Sequence, residues 1–111
     1  MSGVVQVQTA LDSESAAASL ATTLVEERLA ACVQVVGPIT STYRWKGEIE
    51  QAMEWLCVAK TAKSLTSVVI SRIRDLHPYQ EPEILVTAAT DGSAGYLDWV
   101  LSETRQPGNQ P

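Results

Sequence analysis

His77, the only histidine of the chain, lies in the segment HPYQEPEI at residues 77–84. Two prolines stiffen this segment and fix the direction of its polar groups. His77 could therefore act as a metal ligand or a proton carrier, with Tyr79 beside it. It could instead cap the end of a preceding helix, because an imidazole can bond to the free carbonyls there. One histidine cannot form a protein-only zinc site, which needs three or four ligands, and both interpretations stay open.

Carboxylates recur in two places. Glu81 and Glu83 flank a proline, and in an extended segment they would share one side, an arrangement suited to ligands of a hard cation. The same spacing is common in solvated loops. Glu48, Glu50 and Glu54 could line one side of a strand, where we expect them to be solvated. Paired acids that catalyse proton transfer need a pocket that separates their pKa values. The sequence does not indicate such a pocket, and we predict that the protein is not an enzyme.

A lysine and an aromatic cluster complete the set of candidate residues. Lys60 lies in an apolar stretch, so its ammonium should either reach the end of the strand or meet a carboxylate. The run Tyr43-Arg44-Trp45-Lys46 combines aromatic anchors with cationic donors, a composition typical of interface hot spots. The sequence around these residues contains no glycine-rich phosphate loop and no Ser-His-Asp or Cys-His set with a known spacing.

The composition narrows the class of protein. The chain has 111 residues and a net charge of −5, from 13 acidic and 8 basic residues. This length suits one domain, which we place at residues 1–104, followed by a disordered polar tail at 105–111. The acidic charge disfavours nucleic acid as a partner. No apolar run reaches the roughly 18–20 residues of a membrane span. Cys32 and Cys57 lie in apolar runs and predict buried, reduced thiols. We therefore expect a soluble, cytoplasmic protein without a membrane partner.

The spacing of apolar residues predicts seven elements in the order βαββαβα. The predicted strands are 4–8, 32–46, 49–61 and 83–89, and the predicted helices are 13–30, 64–76 and 94–103. Asp12, after a loop at 9–12, is the predicted N-cap of the first helix. Gly37-Pro38 should form a bulge or bend in the second strand, because proline cannot donate to a sheet. Lys46-Gly47 predicts a hairpin turn.

This order predicts an α+β fold of the ferredoxin-like, split βαβ type, with a C-terminal helix added. The sheet should contain four antiparallel strands and carry two helices on one face. The hairpin of the second and third strands is long and should project beyond the domain. An apolar sheet face without a cover, beside a protruding hairpin, needs a partner. We therefore predict an oligomer.

Four segments, in this order, resemble the CutA divalent-cation tolerance family. They are LAACV at 29–33, YRWKGEIE at 43–50, Lys60-Thr61, and HPYQEPEI at 77–84. Tyr96-Leu97-x-Trp99 agrees as well, and the resemblance spans residues 4 to about 102. It implies a ferredoxin-like subunit in a tight homotrimer, similar to the PII signalling proteins, in which each long hairpin extends across to a neighbouring subunit.

The resemblance also implies a role in the tolerance of divalent metals, copper (Cu²⁺) especially, and ligand clefts between subunits. The cleft residues that it implies are Tyr43, Trp45, Lys60, His77, Tyr79 and Glu83. Some relatives bind copper through a cysteine and a second histidine. Those positions hold Gln8 and Leu76 here, so His77 is the one metal ligand that the resemblance predicts.

These observations predict a trimeric protein that binds or senses its ligand in connection with metal tolerance. The alternative is a PII-like sensor, which would bind an anionic small molecule between subunits through Lys60 and Arg44. Acid–base chemistry by His77 and Tyr79 and a purely structural trimer that scaffolds another protein are two further alternatives. The sequence does not indicate which protein would be the partner.

Overall fold

The computed structural model describes residues 2–106. Its strands are β1 (Val4–Leu11), β2 (Cys32–Trp45), β3 (Glu48–Ala62) and β4 (Leu85–Ala88), and its α-helices are α1 (Glu14–Glu26), α2 (Thr66–Leu76) and α3 (Ala94–Glu103). A short 3-10 turn, Lys63–Leu65, precedes α2. The predicted order βαββαβα is confirmed. None of the helices in this part of the chain is long and apolar enough to cross a membrane.

The strands form one antiparallel sheet in the order β2-β3-β1-β4. This order is that of the split βαβ arrangement, so the predicted ferredoxin-like fold is confirmed. β3 pairs with β2 on one side and with β1 on the other. The inner half of β3 is consequently paired on both edges, so the prediction that it is a central strand is confirmed.

The core lies between one face of the sheet and helices α1 and α2. Its sheet side is formed by alternate strand residues, including Val5, Val7, Leu11, Cys57 and Ala59, and its helix side by residues spaced four apart, including Leu20, Leu24, Val69 and Ile73. These spacings place the side chains on one face of each element. The core is aliphatic because the chain contains no phenylalanine.

The first strand is longer than its apolar run predicts. β1 extends to Leu11, so the loop predicted at residues 9–12 is wrong. Thr9 and Leu11 continue the alternation and pair with β3, and both are buried. Ser13 is the N-cap of α1 instead of Asp12, because its hydroxyl accepts a hydrogen bond from the N–H of Ala16 at 3.1 Å.

The first helix ends earlier than residue 30. Arg28 has a φ of +58°, a left-handed conformation that stops the helix. The N–H groups of Leu29 and Ala30 both donate to the carbonyl of Leu24, at 3.0 and 3.2 Å. Leu29 and Ala30 are buried. The turn after α1 therefore places these two apolar residues in the core. Their burial explains why the apolar pattern of the helix continued to residue 30 in the sequence.

β2 and β3 form a long two-stranded ribbon. Its turn is at Lys46 and Gly47, whose φ angles of +50° and +84° match the favoured two-residue hairpin turn. β1 ends opposite Trp55, so the part of the ribbon from Ile39 to Glu54 has no third strand within residues 2–106. The prediction that the hairpin projects beyond the domain is confirmed. We call this part, residues 39–54, the ribbon.

The second sheet face carries polar and apolar side chains. Gln6, Gln8, Val58 and Lys60 lie on it, because they alternate with the core residues. α3 contacts β3 and β1, and the Tyr96 side chain lies near Cys32, the strand partner of Lys60, so α3 covers one end of this face. We call this side of the sheet the open face.

The C-terminal tail falls largely outside the described residues. The predicted disorder covers residues 105–111, of which 107–111 are not described. The N–H of Arg105 donates to the carbonyl of Arg28 at 2.9 Å. Arg105 is therefore held against the domain, and the tail can begin only after it.

The predicted bulge at Gly37-Pro38 suggests a stability test. The register of β2 shifts between Val36 and Ile39, and Gly37 lies under the Trp55 indole. A Cβ at Gly37 would lie 2.8 Å from Trp55 Cγ, so Gly37→Ala should lower the free energy of unfolding by about 1–3 kcal/mol. Urea unfolding followed by circular dichroism measures this change.

Gly95→Ala is the matched control, because a Cβ there meets no other described atom within 4 Å and alanine favours a helix. We expect no loss of stability in this variant. Equal stability of the Gly37→Ala variant and the parent protein would contradict the close packing of Trp55 on the bulge.

The two thiols should differ in reactivity. Cys57 is buried, and burial raises its pKa to about 11, whereas Cys32 is half-buried, less than predicted. Thiolate is the reactive form, so Cys57 in a Cys32→Ser variant should react with a disulfide reagent only after unfolding. Absorbance at pH 8 measures the rate. A native rate equal to that in urea would show that Cys57 is accessible.

Candidate functional site

A cleft of about 680 Å³ lies between the ribbon and the segment 77–84. It is lined by Ala10, Ser41, Thr42, Tyr43, Trp45, Glu54, Tyr79, Gln80, Glu81 and Glu83. Tyr43, Trp45 and Glu54 share the open-face side of the ribbon, since they alternate along paired strands. We call this cavity the ribbon cleft.

Tyr79 and Glu54 form the buried contact of the cleft. The Tyr79 hydroxyl donates to Glu54 Oε2 at 2.7 Å, and Glu54 is only 9% exposed. Burial raises the pKa of Tyr79 well above its usual range, and the Glu54 carboxylate and Asp12 raise it further. The phenol therefore remains a protonated donor at neutral pH.

The prediction that Glu54 is solvated is wrong. The segment 77–84 folds over the ribbon and places Tyr79 against the Glu54 carboxylate. Sequence reasoning did not include Glu54 among the cleft residues. The signal was present in its alternation with Leu56, Val58 and Lys60, which puts Glu54 on the open face beside apolar residues. The covering segment comes from a distant part of the chain, so the alternation alone could not show the burial.

Both ring nitrogens of His77 are bound to the backbone. Nε2 lies 2.8 Å from the Ala10 carbonyl, and Nδ1 accepts the N–H of Tyr79 at 3.1 Å. Because a carbonyl can only accept, Nε2 donates to Ala10, while Nδ1 uses its lone pair for the Tyr79 N–H. The ring also packs on Tyr79, with centroids 4.6 Å apart. His77 therefore ties the segment 77–84 to the end of β1.

The His77 side chain does not cap the end of α2 in the way that the sequence suggested. His77 follows α2, as a cap would, but its ring bonds the carbonyl of Ala10 in β1 and not a carbonyl of the helix. A metal ion at either ring nitrogen would displace one of the two backbone bonds. Within residues 2–106, no group of three or more His, Cys, Asp or Glu side chains is placed to hold a metal ion. The role of His77 as a metal ligand stays a prediction.

Lys60 does not join the other candidates within one chain. It lies six residues beyond Glu54 on β3, about 20 Å along the strand. Its ammonium donates to Gln34 Oε1 at 2.9 Å, so of the two predicted alternatives, the end of the strand or a carboxylate, the carboxylate is wrong. Of the six predicted cleft residues, Tyr43, Trp45, Tyr79 and Glu83 line the ribbon cleft. His77 lies behind it.

The carboxylates Glu81 and Glu83 both line the cleft, as their spacing suggested. Glu83 Oε2 accepts a hydrogen bond from Gln8 Nε2 at 2.9 Å. Gln8 thereby anchors the segment 77–84 to β1. With Glu54, the cleft contains three carboxylates, and no lysine or arginine is among the described residues that line it.

Comparisons with known proteins agree with this architecture. The sequence profile of the family described as CutA1 divalent ion tolerance protein matches residues 5–103. The divalent-cation tolerance protein CutA of Thermus thermophilus is 44% identical over 92 residues, which cover 83% of this chain and 89% of the relative. Protein CutA of Homo sapiens is 40% identical over 92 residues, and the match covers 83% of this chain but only 51% of the human protein.

Solved structures agree in the fold. The divalent cation tolerance protein (Cut A1) from Thermus thermophilus superposes with a TM-score of 0.89 at 40% identity, covering 92% of this chain and 99% of that one. CutA from Xylella fastidiosa gives a TM-score of 0.90 at 34% identity, covering 93% and 99%. From the profile match, the relatives and the shared fold together, the chain belongs to the CutA1 divalent ion tolerance protein family.

Proposed function

We propose that the chain is a non-catalytic binding or sensing protein of divalent-cation tolerance, copper included, and that it works as a homotrimer in the cytoplasm. The tolerance role is supported by the names of relatives from Thermus thermophilus and Escherichia coli. One observation on this chain supports the assembly. The ribbon extends beyond the domain and exposes apolar side chains on both of its faces.

The exposed apolar residues of the ribbon are large. Trp45 is 51% exposed on the open-face side, while Ile49 and Met53 are 66% and 60% exposed on the other side. β2 is also an edge strand of 14 residues, which offers unpaired backbone groups to another strand. Large exposed apolar patches beside an open edge mark interaction surfaces. The ribbon is therefore suited to pack on a second copy of the chain.

A ring of copies follows from the asymmetry of this contact. The ribbon of one copy would pack on the sheet of the next, so the two surfaces in contact differ. Such head-to-tail contacts form a closed ring when the rotation between copies permits it. The number three comes from the resemblance to the CutA family.

The ribbon cleft supports a role without catalysis. Both ring nitrogens of His77 have backbone partners, and Tyr79 keeps its proton because its pKa is raised. Tyr79 is therefore not poised to exchange a proton near pH 7. An anionic ligand also fits this cleft poorly, because its carboxylates would repel the anion and neither Lys60 nor Arg44 is among the residues that line it.

The donor groups of residues 2–106 do not fit a copper site within one chain. Cu²⁺ prefers imidazole nitrogen, and both nitrogens of His77 already have backbone partners. Cys32 lies near Tyr96, at the opposite end of the open face from Glu54. The proposed tolerance role therefore does not rely on a copper site made within one chain.

A charge on the ribbon should dissociate the assembly. Ile49→Glu places a carboxylate at the most exposed large apolar residue, and burying this charge between copies would be unfavourable. We expect the parent protein to have three times the mass of one chain and the variant to have the mass of one. Light scattering after size-exclusion chromatography measures both masses.

Val68→Glu is the control for this substitution, because Val68 is 38% exposed on α2, away from the ribbon. This variant should keep the trimer mass and restore growth on copper to cells that lack the protein, whereas Ile49→Glu should not restore it. A folded, monomeric parent protein at micromolar concentration would refute the proposed assembly.

His77 should matter for stability more than for metal binding. His77→Ala leaves the Ala10 carbonyl and the Tyr79 N–H without partners, so the free energy of unfolding should fall by about 1–3 kcal/mol. His77→Asn can still accept the Tyr79 N–H and should lose less. Calorimetric titrations with Cu²⁺, Zn²⁺ and Ni²⁺ should match those of the parent protein. Loss of metal binding in a folded His77→Ala variant would instead identify His77 as a ligand.

A further inference from the structure

The ribbon is weakly constrained where it joins the domain. The register of β2 shifts between Val36 and Ile39, so two residues of β2 face Trp55 alone. Such a bulge interrupts the ladder of hydrogen bonds and lets the strand bend. β1 also ends opposite Trp55, and no third strand continues past it in the described part of the chain. Strand pairing by itself therefore does not fix the angle at which the ribbon leaves the sheet.

One hydrogen bond joins the ribbon to the rest of the domain just past this bulge. The Tyr79 hydroxyl donates to Oε2 of Glu54, the strand partner of Ile39, at 2.7 Å. Among the described residues, it is the one side-chain hydrogen bond between the ribbon and another segment, because the bond from Gln51 to Thr42 lies within the ribbon. Glu54 is buried, and a hydrogen bond to a buried carboxylate is stronger than one between neutral groups in water. This bond is therefore placed to hold the ribbon at one angle.

Tyr79 is itself held to the domain. Its N–H donates to His77 Nδ1 at 3.1 Å, and His77 Nε2 bonds to the Ala10 carbonyl of β1 at 2.8 Å. The two rings also pack on each other. A continuous series of contacts therefore runs from β1 through His77 and Tyr79 to Glu54. Because β1 is a central strand, these contacts tie the ribbon to the interior of the sheet.

The angle of the ribbon matters for the contact with a neighbouring copy. Ile49 and Met53, its most exposed large apolar residues, lie between Glu54 and the turn. A rotation at the base of the ribbon displaces these side chains in proportion to their distance from the base. A surface that already has its bound position loses less entropy on association than a mobile surface. A fixed ribbon therefore favours tight packing between copies.

We propose that the Tyr79–Glu54 hydrogen bond sets the angle of the ribbon, and that Tyr79 is a positioning residue for the contact between copies. This role rests on the proposed assembly and names the bond that controls it. The Tyr79 hydroxyl acts through Glu54 and the ribbon. Its loss should therefore loosen the contact between copies while each copy keeps its fold.

The exchange of subunits between assemblies measures this control. Isotope-labelled and unlabelled full chains are mixed after each has assembled, and native mass spectrometry follows the appearance of mixed assemblies. Tyr79→Phe removes the hydroxyl and keeps the ring that packs on His77. Because the loss of an interaction acts mainly on the dissociation rate, this variant should exchange subunits about tenfold faster than the parent protein. Amide hydrogen exchange should become faster in residues 39–54 and stay unchanged in β1.

Thr61→Val is the matched control for Tyr79→Phe. The buried Thr61 hydroxyl donates to the Leu29 carbonyl at 2.6 Å, at the opposite end of β3 from the ribbon. This variant also leaves one buried acceptor without its donor, and it should exchange subunits within about twofold of the parent rate. Glu54→Gln keeps an acceptor for the Tyr79 hydroxyl and should stay within about threefold of that rate.

The double variant Tyr79→Phe with Glu54→Leu serves if Tyr79→Phe does not fold. It removes the buried carboxylate together with its donor, so neither member of the pair is left without a partner. The ribbon still lacks the bond, and subunits should again exchange about tenfold faster than in the parent protein.

Several results would overturn the positioning role and leave the assembly standing. They are equal exchange rates in the parent protein and a folded variant that lacks the bond, equal acceleration by Thr61→Val, and unchanged amide exchange of residues 39–54 in Tyr79→Phe. A parent protein with the mass of one chain would instead overturn the assembly, and the positioning role with it.

Discussion

The unequal length of the paired strands determines most of this structure. β3 has 15 residues and β1 only 8, and β1 ends opposite Trp55. The outer half of β3 can therefore pair with β2 alone. This constraint produces the ribbon, exposes apolar side chains on both of its faces, and leaves an edge without a strand. A two-stranded ribbon has marginal stability by itself in water, so further packing against it is the physical requirement from which the proposed assembly follows.

The segment 77–84 completes the site by folding back on this ribbon. Its position is fixed by hydrogen bonds to β1, from His77 to the Ala10 carbonyl and from Gln8 to Glu83. Prolines limit the conformations that the segment can adopt before it docks, which reduces the entropy lost on ordering it. Tyr79 is thereby held over Glu54. The polar residues of this segment thus serve first to build the cleft, and the chemistry of the cleft is that of carboxylates and aromatic rings.

The open face separates two kinds of environment. At one end, α3 brings Tyr96 to Cys32, and Lys60 bonds to Gln34. At the other end, the ribbon cleft collects negative charge around Glu54. Because the two ends are separated by about 20 Å along β3, a ligand in one chain cannot bond to both Lys60 and Glu54 unless it is long. Any shared site that includes Lys60 would have to be formed between copies.

The sequence alone determined the order of elements, the hairpin turn at Lys46-Gly47, the bulge at Gly37-Pro38 and the family. These features follow from local periodicity, from φ preferences and from contiguous motifs, so neighbouring residues are sufficient to specify them. Tertiary structure decided the burial of Glu54, the two backbone partners of His77, and the separation of Lys60 from the cleft. Each of these depends on which distant segment meets a strand, as when Tyr79 covers Glu54 from 25 residues away. A single strand pattern specifies which side chains share a face, but not what packs on that face.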